Sequence, residues 1–275
     1  MSPPVVIGLS AVVVALRDWE ASVLTVRTPD GLGLPFGRFD PAGHRTFELA
    51  LRAFVTEQTG FDLGYVEQLY TFGDAGRDAP LADLHALGEA EAGGGARIVS
   101  VGYLALTPAA ATEETVERAW SPWTRFFPWE DWRAGRPALI DEVIGPALRR
   151  WAGDDRQLAR ARLQFALDGA AWNEERVLER YELLYEAGLA PEAARDRRVS
   201  PDPAGAVLGE AMISDHRRIL ATGLGRLRGK LKYRPVVFEL TPPEFTLSTL
   251  QRTVEAIAGV PLHKPNFRRA VERTG

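Results

Sequence analysis

The stretch TFELALRAFVTEQTGF, residues 46–61, decides how the N-terminal half of the chain is read. Phe47, Ala50, Leu51, Phe54 and Val55 fall at i, i+3, i+4, i+7 and i+8, one face of an amphipathic helix. Thr46 offers an N-cap hydroxyl, and Gly60 a stop. Ahead of the helix runs a Gly/Pro-rich loop, GLGLPFGRFDPAGH (31–44). Ahead of that, VVIGLSAVVVAL (5–16) and SVLTVR (22–27) are rich in β-branched residues and predict two strands turned at Asp18–Ala21. Further strands are expected at 65–72 and 97–106, with the Ala/Gly/Asp-rich run 79–95 between them as a surface insertion.

The rest of the 275 residues leaves room for a second domain. With 45% hydrophobic and 25% charged residues the chain is an ordinary globular protein, neither disordered nor fibrous. It has no cysteine, which removes disulfides, thiolate metal sites and a cysteine nucleophile, and fits a reducing cytoplasm. The apolar N-terminus lacks a basic n-region and a cleavage site, so it reads as a strand; no run is long enough to span a membrane. A cytoplasmic location without membrane partners is expected.

The net charge of −4 hides an asymmetry. Residues 212–275 hold twelve Lys and Arg against five acids, net +7, so residues 1–211 carry −11. A basic tail on an acidic body is what a polyanion partner requires, although a solvated basic face would look the same. Within that tail, 216–231 reads as a helix and YRPVVFEL (233–240) as a short β-rich piece. Thr246 then caps a helix with Leu247, Leu250, Val254 and Ile257 on one face; Gly259 and Pro261 end it. HKPNFRRAVERTG supplies a second helix with Phe267 and Val271 inward. Helix, tight turn and Arg-rich helix form a helix-turn-helix pattern.

Between the halves lie six aromatic residues in WSPWTRFFPWEDW (120–132), a stacking platform or, more simply, core and interface packing. Residues 139–190 look mainly helical, and 191–208 has the Pro, Gly and polar content of a linker or loop.

Strand, glycine loop and a helix closing in ExxTG together resemble a Nudix box. That pattern ends Arg-Glu-apolar-any-Glu-Glu-any-Gly-apolar. Anchored on Gly60 and Phe61, it falls on Ala53, Phe54, Val55, Thr56, Glu57, Gln58 and Thr59. Diphosphate hydrolysis needs Mg²⁺, a hard cation that requires several carboxylates. Only Glu57 supplies one here. Glu48 is nine residues away, on roughly the opposite side at about 100° per residue. Catalysis through that helix is therefore not expected, and no metal site or required cofactor is assigned. The loop's backbone N–H groups, with Arg38, Arg52, Glu57 and Arg77, are the candidate effector-binding set.

The C-terminal stretch LRGKLKYRPVVFELTPPEFTLSTLQRTVEAIAGVPLHKPNFRR (227–269) resembles the winged-helix domain of NrtR-type, Nudix-related regulators of NAD metabolism. YTFGD-x-GRD (70–78) and VSVGYLAL (99–106) are similar to that family's Nudix domain. The helical middle is similar to the longer alphaproteobacterial NadQ-type regulators. The resemblance implies an α+β protein: a Nudix-like α/β/α sandwich with a mixed sheet over 1–138, a helical insertion and linker over 139–211, and a C-terminal winged helix-turn-helix over 212–275. It implies a homodimeric repressor of NAD biosynthesis or salvage genes that binds a palindromic double-stranded operator and senses a nucleotide: ADP-ribose, NAD or ATP.

Carried over by position, Lys264–Arg273 becomes the recognition helix. Asn266, Arg268 and Arg269 would reach bases or phosphates, with Lys264 on the backbone and Thr246, Ser248 and Gln251 near phosphate. The family continues into a two-stranded wing, which is not expected in this chain. Two alternatives stay open. One is an active Nudix pyrophosphohydrolase on ADP-ribose or NAD(H), drawing on Asp40 or Asp74. The other is an adaptor using the aromatic stretch and the helical segment.

Overall fold

The computed structural model describes residues 5–74, 97–108, 118–197, 200–231, 236–241 and 244–274. Its first half is a seven-stranded mixed sheet: β1 (Val5–Arg17), β2 (Glu20–Thr28), β3 (Gly31–Gly33), β4 (Phe36–Arg38), β5 (Tyr65–Phe72), β6 (Arg97–Leu106) and β7 (Arg118–Pro122). The order is β3-β2-β1-β6-β5, with β7 on β2 and β4 on β1. β1 runs parallel to β6 from Val5–Arg97 to Val14–Leu106. Its other edge is shared, antiparallel, by β4 at Gly8–Ser10 and β2 at Val14–Arg17.

β1 is buried on both faces, and its period of two sorts its side chains. Leu9, Ala11, Val13 and Ala15 pack with Ala50, Leu51 and Val55 of α1 (Phe47–Thr59). Val12 and Val14 pack with Ile219, Leu220, Leu224 and Leu227 of a long helix, His216–Leu231, on the opposite face. Two helices therefore sandwich the sheet, the α/β/α arrangement expected from the Nudix resemblance. α1 begins where the sequence places it: Thr46 accepts a hydrogen bond from Leu49 N, and Gly60 closes the helix at φ +68°. The β1–β2 hairpin turns through Asp18 and Trp19, both at positive φ. The expected insertion at 79–95 lies outside the described residues.

The helical segment holds a π-turn at Ile140–Ile144 running into α2 (Gly145–Trp151), then α3 (Asp155–Gln164), α4 (Val177–Glu186) and α5 (Pro191–Arg197). The sandwich helix is α6 (His216–Leu231), followed by α7 (Leu247–Ala258) and α8 (Lys264–Thr274). One contiguous apolar core joins the sheet face, α2 to α6 and Ile257 of α7. A division at 211/212 thus runs ahead of a helix that packs on the sheet.

Two expectations are corrected. The segment 191–208, read as a linker or loop, is not a free linker in its described residues: Pro191 opens α5, whose Glu192, Ala193 and Ala194 are buried, and Leu208 is fully buried. Its polar residues bind inward, with Glu192 accepting from Met212 N and Arg195 donating to Met212 O and Ser214 O. The β-rich piece is instead a 3₁₀ turn at Val236–Leu240 with Val236, Val237 and Leu240 buried. No strand lies beside it among the described residues, so its β-branched side chains pack on helices instead.

The aromatic stretch is core. Trp123, Phe126, Phe127 and Trp129 are buried, and Trp132 stacks on Trp172 at 4.4 Å. Among these rings sit buried charges. Glu130 pairs with Arg180 and Arg228, each at 2.5 Å, all three side chains being fully inaccessible. Arg180 lies 3.9 Å from the Trp172 ring centroid. Arg217 pairs with Glu192 at 3.2 Å. Burial alone would raise the Glu130 carboxyl, but Arg180 and Arg228 hold it below its usual value.

His216, at the start of α6, locks the helix to the glycine loop. Its Nδ1 accepts from Leu34 N at 3.0 Å, which leaves Nε2 protonated toward Ser10 Oγ at 3.4 Å. Burial, with the nearby Arg195 charge, pushes its pKa down to about 3. The unfolded chain therefore takes up a proton near pH 6.5 that the folded chain refuses, and stability is lost as pH falls from there toward 3. Between pH 7 and 5 this removes about 2 kcal/mol. Urea melts should show that loss in the parent and its absence in His216→Gln; equal slopes in the two proteins would refute the assignment.

Candidate functional site

α1 lies against β4 and carries the residues that replace the expected acids. The Phe54 ring covers Gly37 so closely that a Cβ there would come within 2.5 Å of it. The same ring meets His44 edge-on at 5.2 Å. Gln58 pairs with the backbone of Phe36 in both directions, Oε1 accepting from Phe36 N at 3.1 Å and Nε2 donating to Phe36 O. Only an amide satisfies both groups. A carboxylate would face the Phe36 carbonyl with no proton to offer. Phe54 and Gln58, two of the three positions that the resemblance gives to metal-binding acids, are thus built into the contact between α1 and β4. The residues present do not fit a divalent cation, and no group of three His, Asp or Glu side chains is placed to hold one among the described residues.

Six backbone donors of the loop are engaged within the protein. Leu34 N and Phe36 N are donated to His216 and Gln58, and Phe39 N to Ile7 O. Asp40 N goes to His44 Nδ1, Ala42 N to Asp40 Oδ1 and His44 N to Asp40 O. The sequence suggested an anion cradle, but these donors close a compact turn.

Three of the four candidate effector residues lie among the described residues. Arg38 is exposed at the end of β4, and Glu57 is exposed on α1. Arg52 pairs with Glu48 at 2.9 Å and donates to the carbonyls of Leu63 and Gly64, fastening α1 to the chain entering β5. About 140° of helical rotation separates it from Glu57. Arg77 lies outside the described residues. The sequence missed Gln58 and His216, both of which hold the loop. Only the oddity of an amide at a metal-ligand position pointed to the first.

At the C-terminal end, α7 closes at Gly259 (φ +70°) and α8 opens at Lys264. Thr246 caps α7, its hydroxyl accepting from Thr249 N at 3.1 Å; Ser248 is exposed in the first turn. Gln251 faces the turn instead: its Nε2 donates to Leu262 O at 3.1 Å and to Glu255 Oε1 at 2.9 Å. Glu255 in turn accepts from Leu262 N. Lys264, Asn266, Arg268 and Arg269 are all exposed on α8, and Phe267 is half-buried. Arg269 donates to Asn266 Oδ1 at 2.6 Å, and Arg268 to Glu272 at 2.9 Å.

The structure redistributes the tail's charge. Arg217 and Arg228 are buried, Arg218 pairs with Asp74 and Glu182, and Arg226 and Lys230 pair with Glu67. All five sit on α6 and serve the sandwich. Residues 237–275 carry five basic and four acidic residues, net +1, but 264–274 has four against one. The polyanion signal is therefore local to α8.

Sandwich and helix-turn-helix define the class: a Nudix-type fold carrying a C-terminal winged-helix domain. Residues 237–275 match the NrtR DNA-binding winged helix domain. The ADPR responsive transcriptional repressor NtrR of Acinetobacter baylyi is 39% identical over 61 residues; that segment is 22% of this chain and 24% of the relative's length. Among solved structures, Shewanella oneidensis NrtR is similar over 98% of this chain and 85% of its own, with TM-score 0.56 and 20% identity. Its complex with a 27mer DNA gives TM-score 0.53 at 21% identity over 97% and 82% of the two chains. A MutT/nudix family protein from Enterococcus faecalis gives TM-score 0.58 at 15% identity over 99% and 82%. These likenesses establish the shared fold.

Gln58→Glu should lower stability by about 1 kcal/mol, because it removes one hydrogen bond and opposes a carboxylate to the Phe36 carbonyl. Denaturant melts at pH 7 check this; an unchanged midpoint would mean the amide is not holding the loop.

Proposed function

We propose that this chain is a DNA-binding transcriptional repressor whose Nudix-type half senses an adenine-containing metabolite without hydrolysing it. The match of residues 237–275 to the NrtR DNA-binding winged helix domain, with an exposed basic face on α8, carries the reading. Lys264, Asn266, Arg268 and Arg269 meet DNA: Arg pairs bidentately with guanine, Asn with adenine, and Lys with phosphate. Ser248 and the α7 N-terminus rest on the backbone, while Gln251 acts by holding the turn. ADP-ribose is the favoured effector, since the Acinetobacter baylyi relative is named as ADPR responsive; NAD and ATP are the competitors. Arg38, Glu57 and Arg77 are the effector contacts, Arg52 being engaged by Glu48 and the carbonyls of Leu63 and Gly64. The genes controlled are those of NAD biosynthesis or salvage, and the working form is a homodimer on a palindromic operator, located in the cytoplasm. A non-catalytic sandwich follows from Phe54 and Gln58, which occupy the metal-binding face.

The test begins with a duplex selected by this protein from a random-sequence pool. Binding should weaken steeply with salt, and changing Arg268 and Arg269 together to Ala should reduce affinity at least a hundredfold, with the melting temperature unchanged. Parent-like binding by the double variant would remove α8 from the interface. Release of phosphate-containing product from ADP-ribose with Mg²⁺ or Mn²⁺, abolished by Glu57→Gln, would make the protein a hydrolase instead.

A further inference from the structure

The last turn of a helix leaves carbonyl oxygens without intrahelical partners. In α7 these are taken by groups from the sandwich body. Arg228 of α6 donates from Nε to Ile257 O at 2.9 Å, and Trp132 N donates to Gly259 O at 2.6 Å. The same guanidinium donates from Nη2 to Glu130 O at 3.1 Å and from Nη1 to Glu174 O at 2.9 Å, and pairs with the Glu130 carboxylate. Arg180 of α4 closes the other side of that carboxylate. A cation at this helix end also complements its dipole.

A second contact lies at the β1–β2 hairpin. Arg252 of α7 sits 5.1 Å from the ring centroid of Trp19, which is held at φ +65°, and Trp19 O accepts from Arg133 at 2.7 Å. α7 is thus gripped at its C-terminal end and along its flank. Because Gln251 and Glu255 lock the turn to Leu262, the direction of α7 sets the direction of α8.

We infer that Glu130, Arg228 and Gly259 form an interdomain clamp that positions the α7–α8 pair on the sandwich, so that clamp closure governs operator affinity. Its second clause rests on the DNA-binding reading proposed above. None of the three residues touches DNA in this account; they are positioning residues. Arg228 also holds Glu174 O, and Arg180 also donates to Asn173 O. The helical segment is therefore wired into the same node, and a shift of 173–174 would be felt at the end of α7. Two operator half-sites are read only if two recognition helices meet successive turns of the groove, so a tilt of α8 costs affinity without loss of any DNA-contacting group.

Two glycines provide a matched test. Gly60 and Gly259 both end helices, at φ +68° and +70°. A Cβ at Gly60 would meet only Arg118 Nη1 at 3.8 Å, whereas one at Gly259 would come within 2.3 Å of Glu130 O and 2.6 Å of Arg228 Nη2. Gly60→Ala therefore carries the backbone strain alone, and Gly259→Ala adds a wedge in the clamp. The chain has no cysteine, so spin labels go only to introduced cysteines. Labels at Ala53→Cys and His263→Cys, both exposed positions, report the separation between α1 and the turn.

The parent and Gly60→Ala should give one narrow distance peak at the same position. Gly259→Ala should shift or broaden it and weaken binding of the selected duplex at least tenfold. Arg228→Lys, which keeps the charge but loses the fork, should do the same. If Gly259→Ala gives the same distance distribution as Gly60→Ala, the clamp is overturned, whether or not Arg228→Lys folds. If the distribution moves but duplex binding does not, control of affinity by the clamp is overturned. If the distribution moves and even the parent selects no duplex, the clamp stands and the DNA-binding reading falls.

Discussion

A carboxylate sealed between two guanidinium groups organises this molecule. Glu130 has no access to solvent, nor do Arg180 and Arg228, which hold it from opposite sides. Desolvating three charges costs several kcal/mol per ion, and two cations on one anion leave an excess positive charge. The surroundings answer that excess. Carbonyls of Glu130, Asn173, Glu174 and Ile257 accept the remaining guanidinium protons, Trp129 Nε1 donates to the carboxylate, and the Trp172 ring faces Arg180. The partners come from four stretches of chain: the aromatic stretch, the helical segment, the sandwich helix and α7. Such a network tolerates few alternative arrangements, because any displaced partner leaves a buried charge exposed to apolar walls.

Local pairing also shapes the Nudix-type helix. A face that would present carboxylates to a cation now presents a phenyl ring to Gly37 and an amide to the Phe36 backbone. The loop is correspondingly self-contained, with its donors engaged by Asp40, His44, Gln58 and His216. That suits a rigid platform better than a phosphate cradle.

Much of this was legible in the sequence. α1 is strongly periodic, β1 is a long run rich in β-branched residues, and the caps Thr46, Gly60, Thr246 and Gly259 act where expected. The illegible parts depended on partners far away in sequence. Residues 191–208 carry the composition of a linker, but Glu192 and Arg195 find Arg217, Met212 and Ser214 only after folding. Residues 236–240 have strand composition without a neighbouring strand. The basic excess of the tail was real but misallocated, since five of its cations belong to α6, where they are buried or paired with the body. Of the candidate site, α8 kept the exposed face assigned to it, whereas Arg52 was taken by Glu48 and the carbonyls of Leu63 and Gly64.

In the proposed function, nucleotide binding in the sandwich and DNA binding at α8 are coupled. Coupling of this kind is reciprocal: if the nucleotide changes DNA affinity by some factor, DNA must change nucleotide affinity by the same factor. The direct measurement is calorimetric titration of ADP-ribose into the protein, with and without saturating selected duplex, paired with DNA titrations at zero and saturating ADP-ribose. Two matching factors of about 5 to 150, the range typical of allosteric coupling, are expected, with ADP-ribose intact at the end. Unchanged affinities in both titrations, or consumption of the ADP-ribose, would contradict the proposed function.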